Sequence, residues 1–263
     1  MKLPITVASA LALSLAACSE APVAEAEAPA AQVVSDDVLA AAIANEARPE
    51  AARALDESRK PAEVLAFLGL EQGDHAADLI SGGGYWAEIL AEAVGENGSV
   101  TALEPEQFYD EERWTALSAA QPDIALKRYR FEDFRSEPDC FDFAVMNLVY
   151  HDLYWESEEY DVPRSEPSAY LAALYGAMKP GGVVGVIDHV ANPGDTRETV
   201  EAYHRIDPAV VRADFERAGF VLEAESDMLA NPDDDHTVNV FDPAIRGKTD
   251  RFVMKFVKPE ASE

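Results

Sequence analysis

Strand-like apolar runs alternate with amphipathic segments along most of the chain. From residue 75 onward, HAADLI, VTALE, IALKRYR, FDFAVMNLV and VVGVIDHV each have the length of a buried strand. Helical patterns such as YWAEILAEAV and SAYLAALYGAM separate these runs. The alternation predicts an α/β fold with a doubly wound, mostly parallel sheet and helices on both faces.

Two more strand-like runs, VLEAESDML and RFVMKFVKP, follow the helical pattern PAVVRADFERAGF near the end of the chain. Before the first strand, residues 36–70 have helical character that is interrupted at Pro49 and Pro61. We therefore predict one domain over residues 36–263, with these helices preceding a seven-stranded core at 71–259.

The amino terminus has the order of features found in an export signal. Lys2 precedes LPITVASALALSLAA, an apolar stretch that is short for a membrane span. The stretch leads into Cys18, and Leu-Ala-Ala-Cys resembles the lipobox of bacterial lipoproteins, in which the Cys is lipidated after cleavage. We expect a signal peptide at 1–17, a flexible tether with the lipidated Cys at 18–35, and a periplasm-facing lipoprotein of the bacterial cell envelope. The alternatives are an ordinary signal peptide with a chance Cys, a buried N-terminal helix, or a cytoplasmic protein whose signal is not processed.

The net charge limits the classes of partner. The formal charge is −29 and the isoelectric point is near 4.3. Such a surface repels phosphate backbones and anionic headgroups, so we expect no nucleic-acid partner and membrane contact only through the lipid anchor. Once Cys18 is lipidated only Cys140 remains, so no intramolecular disulfide is expected.

Three consecutive glycines, Gly82 to Gly84, join the first predicted strand to the following helix. A glycine-rich turn here lets a ligand lie against bare main chain, beside the free N–H groups of a helix start. Glu104 ends the next strand, where a carboxylate can accept both hydrogens of a ribose diol. A dinucleotide fits this outline, because Gly82, Gly84 and Ala87 satisfy the pattern G-x-G-x-x-G/A.

A family resemblance indicates a second class of ligand. The stretch from Asp78 to Gly84 resembles the first motif of class I S-adenosylmethionine-dependent methyltransferases, and departs from it at Ile80, where the family has its first glycine. MKPGG, EDF and the two closing strands resemble further features of that family, and the chain is similar to a group of predicted bacterial methyltransferases that often carry export signals. The resemblance implies a Rossmann-like sheet whose last strand is antiparallel, and S-adenosyl-L-methionine as cofactor. The residues implied in cofactor binding are Asp78, Ser81, Gly82, Gly83, Gly84, Glu104, Asp133 and Asn147.

Candidate catalytic residues lie at the ends of the fourth and fifth predicted strands. His151 and Asp152 follow the fourth strand, and Asp188 and His189 lie in the fifth. We predict that His151 takes a proton from a hydroxyl acceptor while Asp152 or Asp188 orients its imidazole; the alternative is a histidine with a structural hydrogen bond only. A metal site from the four side chains is less favoured, because adjacent strand residues point to opposite faces. The acidic segment NPDDDH lacks the EF-hand pattern and is expected to be solvated.

The sequence thus predicts a methyltransferase that uses S-adenosyl-L-methionine and acts on a small-molecule acceptor. Two alternatives stay open. One is a non-catalytic, ligand-binding lipoprotein that keeps the methyltransferase fold. The other is a nucleotide-dependent oxidoreductase.

Overall fold

The computed structural model describes residues 32–260, so the predicted signal peptide, the lipidated Cys18 and most of the predicted tether lie outside the described residues. The helices within 32–260 are α1 Asp36–Ala44, α2 Glu50–Arg53, α3 Asp56–Arg59, α4 Pro61–Leu68, α5 Tyr85–Ala93, α6 Glu111–Ala120, α7 Pro167–Ala177, α8 Thr196–Tyr203 and α9 Pro208–Ala218. The strands are β1 Gln32–Val33, β2 Glu71–Gln72, β3 His75–Leu79, β4 Ser99–Pro105, β5 Ile124–Tyr129, β6 Phe141–Asn147, β7 Met178–His189, β8 Val221–Ser226 and β9 Arg251–Val257.

The main sheet has seven strands in the order β5-β4-β3-β6-β7-β9-β8. Strands β3 to β7 run parallel, and β9 is antiparallel to both of its neighbours. The predicted fold class is therefore confirmed, including the antiparallel last strand. The chain passes from β3 to β4 and β5 on one side and then returns to β6 on the other. The strand order reverses between β3 and β6, and ligands bind in this fold class beyond the carboxyl ends of such strands.

Strand β6 shows why the apolar runs are nearly continuous. Phe143 and Val145 contribute to the core on one face of the sheet, with α1, α4 and α5. Ala144 and Met146 contribute to the core on the other face, with α7 and α9. All four side chains are buried, because helices cover both faces of the parallel strands.

Two elements differ from the sequence prediction. The predicted strand VVGVIDHV begins earlier than expected, because Lys-Pro-Gly-Gly, which has the composition of a turn, lies inside β7, where the pairing with β6 shifts in register between Phe141 and Phe143. Helix α8 was not predicted from its apolar pattern, because Val200 is its one buried residue. Its N-cap does carry a sequence signal, since the Asp195 side chain accepts from the backbone N–H of Glu198.

The acidic segment at 231–236 is only partly solvated, which corrects the expectation from sequence. Asp234 is buried and forms a bidentate ion pair with the fully buried Arg205, at 2.8 and 3.1 Å. Arg205 also donates to the carbonyl oxygens of Val238 and Val190. The pair therefore fastens the long loop between β8 and β9 to the end of β7.

The amino-terminal part of the described chain packs on the same face as α5. Gln32 and Val33, within the range predicted as tether, pair with Glu71 and Gln72, and Val34 is buried. Within residues 32–260, no helix is both long enough and apolar enough to cross a bilayer.

Candidate active site

The glycine turn after β3 is held by one buried carboxylate. Asp78 Oδ2 accepts hydrogen bonds from Ser81 Oγ at 2.5 Å and from the backbone N–H of Ala87 at 3.0 Å. The two donors lie before and after the glycines, so Asp78 closes the turn onto the start of α5. Burial raises the pKa of Asp78 to about 7, although both hydrogen bonds and the charge of Arg59 oppose the shift.

Ile80 has the backbone conformation that a glycine would favour. Its φ is 52°, in the left-handed region, and its side chain is 4% exposed. For an L-residue this conformation costs about 1–2 kcal/mol, and a β-branched residue seldom adopts it. The departure from the family motif therefore leaves the turn geometry intact, at the cost of local strain.

The three glycines serve different purposes. A Cβ on Gly83 would lie 1.8 Å from the Arg113 side chain, and one on Gly84 would lie 2.3 Å from Leu117. Gly84 is therefore needed for packing against α6, and its φ of 78° also favours glycine, whereas at Gly83 the flexible end of Arg113 would have to move. A Cβ on Gly82 would meet no atom within 4 Å, so Gly82 alone faces open space. Bare main chain is therefore available to a ligand at Gly82.

Glu104, on β4, lies under this turn. It is fully buried, and its Oε2 accepts a hydrogen bond from the backbone N–H of Gly82 at 2.6 Å. Its other oxygen, Oε1, is buried and has no hydrogen-bond partner in the described structure. Burial raises the pKa of Glu104 to about 9; the Gly82 hydrogen bond lowers it and the charge of Asp78 adds to the rise. A ligand hydroxyl could donate the hydrogen bond that Glu104 Oε1 lacks.

A cavity of about 260 Å³ opens at the turn, a little below the usual volume of small-molecule sites. It lies where the strand order reverses, at the carboxyl ends of β3 and β6. Its walls come from the turn, from α3, from the first turn of α5, from α6 and from the end of β6. The lining residues are Leu55, Arg59, Asp78, Ile80, Ser81, Gly82, Gly83, Tyr85, Trp86, Arg113, Asn147, Leu148 and Val149.

Arg59 brings a positive charge into this cavity. Its guanidinium carbon lies 4.3 Å from the centre of the Tyr85 ring, and burial lowers the pKa of the side chain. No carboxylate of residues 32–260 forms an ion pair with it. The Tyr85 hydroxyl donates to Asp56 at 2.8 Å, and Asp56 is bound in turn by the fully buried Arg48. The guanidinium is half-buried and forms no ion pair within residues 32–260, so the arrangement favours an anionic ligand group.

A second group of polar residues lies at the ends of β6 and β7. The Nδ1 of His151 is 2.8 Å from Asp188 Oδ1, and the backbone N–H of His151 donates to Asp188 Oδ2 at 2.9 Å. The Nε2 of His151 is 3.4 Å from Asp152 Oδ1. Asp188 is fully buried, whereas the Asp152 side chain is 16% exposed. The structure thus brings the three predicted catalytic residues together, with one carboxylate on each nitrogen of the imidazole.

The charges in this group are strongly coupled. Burial disfavours the charged form of His151, but the charges of Asp188 and Asp152 outweigh burial and raise its pKa to about 9. Although burial opposes ionisation of Asp188, the charge and hydrogen bonds of His151 lower its pKa. Burial raises the pKa of Asp152 to about 6. At neutral pH the group is an imidazolium between two carboxylates.

Other predicted residues lie apart from this arrangement. Asp133 is exposed and pairs with Arg135, and it does not line the cavity. His189 is turned to Thr249, with 2.7 Å between Nδ1 and Oγ1, and burial lowers its pKa to about 3. In the described part of the chain no three His, Cys, Asp or Glu side chains are arranged to hold a metal ion.

Three larger cavities, of about 750, 780 and 460 Å³, lie away from these groups, the smallest of them within the segment 156–164. The first is at the amino ends of β4 and β5, opposite to the glycine turn. The second lies among the N-terminal helices, between α1, α2 and α4. None of the three is lined by the glycine turn, Glu104 or His151, and the cavity at the turn is not lined by Glu104 or His151 either, so volume alone does not identify the site.

Sequence reasoning missed the residues that come to the cavity from distant segments. Arg59 and Leu55 belong to the N-terminal helices, and Arg113 reaches over Gly83 from α6, donating to its carbonyl oxygen at 2.5 Å. No local pattern marks these residues, because their role depends on how helices pack on the turn. The one available signal was that basic residues are scarce in this acidic chain.

No known family profile matches the sequence, and no curated protein matches it. Solved structures do match. A SAM-dependent methyltransferase from Aquifex aeolicus has a TM-score of 0.55 at 21% identity, covering 80% of this chain and 98% of its own. An S-adenosylmethionine-dependent methyltransferase from Mesorhizobium loti has a TM-score of 0.54 at 17% identity, covering 77% and 99%. The 1,6-didemethyltoxoflavin-N1-methyltransferase of Burkholderia thailandensis, with its substrate and S-adenosylhomocysteine bound, has a TM-score of 0.51 at 15% identity, covering 80% and 79%.

These likenesses agree with the strand order, the antiparallel β9 and the position of the glycine turn. At such low identity they establish the architecture rather than the reaction. The chain has the Rossmann-like fold of class I S-adenosylmethionine-dependent methyltransferases.

Proposed function

We propose that the protein is an S-adenosyl-L-methionine-dependent methyltransferase that acts on a small molecule with a hydroxyl group. The observation that carries this proposal is the set of groups at the cavity and directly beneath it. Gly82 offers bare main chain, the buried Glu104 beneath it has an unpartnered oxygen, and Arg59 forms no ion pair with a carboxylate of the described residues.

S-adenosyl-L-methionine matches each of these groups. Its ribose diol would donate to Glu104, and its methionine carboxylate would pair with Arg59. A nicotinamide dinucleotide also carries ribose diols, and its pyrophosphate would pair with a guanidinium as well. The likeness to solved methyltransferases, rather than Arg59, therefore favours the methyl donor over the dinucleotide that the glycine pattern alone allows.

The bound cofactor supplies an electrophilic methyl group on a positively charged sulfur. The protein's part is to hold donor and acceptor in line and to remove a proton from the acceptor. His151 would accept the hydroxyl proton at Nε2, while Asp188 holds Nδ1 and compensates the imidazolium charge. Asp152, on the Nε2 side, would stabilise the same charge.

This role has a consequence for pH dependence. A base must be unprotonated to act, and the pKa of His151 is raised to about 9. The rate of methylation of a hydroxyl acceptor should therefore rise about tenfold for each unit by which the pH increases toward 9. A replacement of His151 by Asn should remove this dependence along with most of the activity.

Calorimetry with S-adenosylmethionine, S-adenosylhomocysteine and NAD tests the cofactor. We expect micromolar binding of the first two and none of NAD. Binding of NAD alone would favour the oxidoreductase. Binding of none of the three would favour a non-catalytic protein that keeps the fold.

An Arg59→Gln variant tests the carboxylate contact. A lost charge-assisted pair is worth about 1.5–3 kcal/mol, so the affinity for S-adenosylhomocysteine should fall roughly 10- to 150-fold. The affinity for 5′-methylthioadenosine, which has no carboxylate, should stay the same. Arg53→Gln, at an exposed arginine on α2, is the matched control. Equal losses for both ligands in the Arg59 variant would contradict the assignment.

For the cell envelope we make a separate proposal, supported by the sequence of residues 1–18 alone: cleavage before Cys18 and lipidation of its thiol. Intact-mass spectrometry of the protein from whole native cells should find a chain that lacks residues 1–17 and carries acyl groups. An uncut Met1 would place the protein in the cytoplasm instead.

A further inference from the structure

Exposed aromatic side chains are concentrated outside His151. Six large hydrophobic side chains of the described residues are exposed, and four of them lie together here: Tyr160, Tyr203, Val238 and Phe241. With the half-buried Trp155 and His204, they form a surface that we call the aromatic patch. Single exposed hydrophobic residues are ordinary, but a contiguous group marks a binding surface.

Two loops and a helix end bring the aromatic patch together. The ring of Trp155 is 5.6 Å from that of Tyr160, both in the segment after β6. The backbone N–H of Val240 donates to the carbonyl oxygen of Tyr203, which places the β8–β9 loop against the end of α8. The buried Arg205–Asp234 pair fixes this loop from below. The patch is thus built on anchored segments.

His204 connects the aromatic patch to the proposed base. Its ring centre is 5.0 Å from Phe241, 5.4 Å from Trp155 and 5.7 Å from His151. Its Nδ1 is buried and has no hydrogen-bond partner among residues 32–260. Aromatic rings therefore lead from the surface to the imidazole of His151, and an unsatisfied nitrogen lies on the way.

The charge around the patch restricts what it binds. Residues 155–164 and 241–246 carry five acidic and two basic residues. Glu158, Glu159 and Asp242 are exposed beside the rings. Arg164 is paired with Glu156, while Arg246 lies 6.0 Å from the Phe241 ring centre. An anionic ligand would be repelled by this rim, and a cationic one would be attracted both to it and to the ring faces.

We propose that the aromatic patch binds the ring of the methyl acceptor, and that the acceptor is a hydroxylated aromatic compound that is neutral or positively charged. This inference rests on the proposed function, because it assigns the hydroxyl of that compound to His151. Ring stacking on the patch orients the acceptor, and the rim excludes aromatic acids.

Calorimetry and saturation-transfer NMR with three probes test the proposal, in the presence of S-adenosylhomocysteine. Tyramine is a phenol with a positive charge, 4-hydroxyphenylacetate is its anionic counterpart, and 2-cyclohexylethylamine keeps the charge without the aromatic ring. Tyramine should bind at least about fivefold more tightly than either of the others. Equal affinity for tyramine and the cyclohexyl compound, or tighter binding of the acid, would overturn the proposal.

Variants locate the binding. Phe241→Ala with Tyr160→Ala should weaken tyramine binding about fivefold and leave S-adenosylhomocysteine binding unchanged, because both side chains are exposed and neither lines the cavity at the glycine turn. Val221→Ala, at an exposed residue on β8, is the matched control and should change neither affinity. Unchanged tyramine affinity in the double variant would overturn the proposal.

Two outcomes separate this inference from the proposed function. If S-adenosylhomocysteine binds but tyramine does not, the aromatic acceptor is wrong and the methyltransferase proposal stands. If S-adenosylhomocysteine does not bind, the methyltransferase proposal fails and the acceptor assignment fails with it. Sedimentation of the wild type and the double variant adds one check. If the wild type is a dimer and the double variant is a monomer, a second copy of the chain covers the aromatic patch, and the proposal is wrong.

Discussion

Replacing Glu104 with Gln tests the proposed ribose contact while preserving the shape of the side chain. Glu104 is fully buried, and its Oε2 lies 2.6 Å from the backbone N of Gly82. Because its pKa is raised to about 9, the carboxyl keeps its proton at pH 7 when no ligand is bound. A ribose diol that donates two hydrogen bonds favours the ionised carboxylate. Ligand binding should therefore release a proton.

The size of the effect follows from this one proton. Because binding releases this proton, the dissociation constant of S-adenosylhomocysteine should fall as the pH rises from 7 to 9. The fall should be up to about tenfold per pH unit, or about 1.4 kcal/mol of binding free energy. The Glu104→Gln variant has no proton to release and should lack this slope. It also loses a charged acceptor for two hydrogen bonds, so at pH 9 it should bind roughly 10- to 150-fold more weakly than the wild type.

Titration calorimetry with S-adenosylhomocysteine at pH 6, 7, 8 and 9 measures both effects. Repeating each titration in phosphate and in Tris reports the proton directly, because the two buffers differ in ionisation enthalpy. Titration of the ligand's own amine affects both proteins equally, so the difference between wild type and variant isolates Glu104. Parallel pH profiles, or equal affinities at pH 9, would refute the assignment.

The same proton affects stability in the absence of ligand. The folded pKa of about 9 lies above the ordinary glutamate pKa of 4.5. The folded protein therefore holds more protons across this window, and its free energy of unfolding falls as the pH rises, by up to about 1.4 kcal/mol per unit. Urea unfolding at several pH values should show this decline in the wild type and a weaker decline in Glu104→Gln.

Three further predictions concern the turn, the base and the loop. In urea unfolding, the Ile80→Gly variant should have a free energy of unfolding about 1 kcal/mol higher than that of Ile80→Ala, because a left-handed backbone favours glycine over alanine. A more stable Ile80→Ala variant would show that the backbone at Ile80 is not strained. Asp188→Asn should lower the pKa of His151 by more than about one unit, because it removes a negative charge beside the imidazole; NMR of the imidazole measures this. An unchanged pKa would show that the two charges are not coupled. Asp234→Ala should lower the free energy of unfolding by about 3–5 kcal/mol, because it leaves a buried guanidinium unpaired. The control Asp233→Ala, at an exposed residue, should lower it by under about 0.5 kcal/mol, and similar melting curves for the two variants would contradict this.

The main sheet and the meeting of Gly82 with Glu104 could be predicted because both depend on order along the chain. Apolar runs set the strands, and the parallel arrangement then brings the ends of neighbouring strands to one edge. The meeting of His151 with Asp188 follows from the same rule. The register shift in β7 could not be predicted, because Lys-Pro-Gly-Gly has the composition of a turn and pairing overrides that preference.

The remaining parts of the site depend on packing between distant segments. Arg59 reaches the cavity because Arg48 and Asp56 hold the N-terminal helices against Tyr85, and no spacing in the sequence records this. Asp234 has the appearance of a solvated acid until Arg205, from beyond α8, is placed beside it. The conformation of Ile80 is likewise imposed by the surrounding structure, since its own residue type opposes it.

The position of β9 has a consequence for how this chain is made. Strand β9 lies between β7 and β8, so neither of them has its full set of partners until residues 251–257 arrive. A nascent chain still on the ribosome, with those residues inside the exit tunnel, would expose two open strand edges. Assembly of the sheet therefore requires that β9 has emerged, and molecular chaperones would have time to bind the nascent chain before β9 emerges.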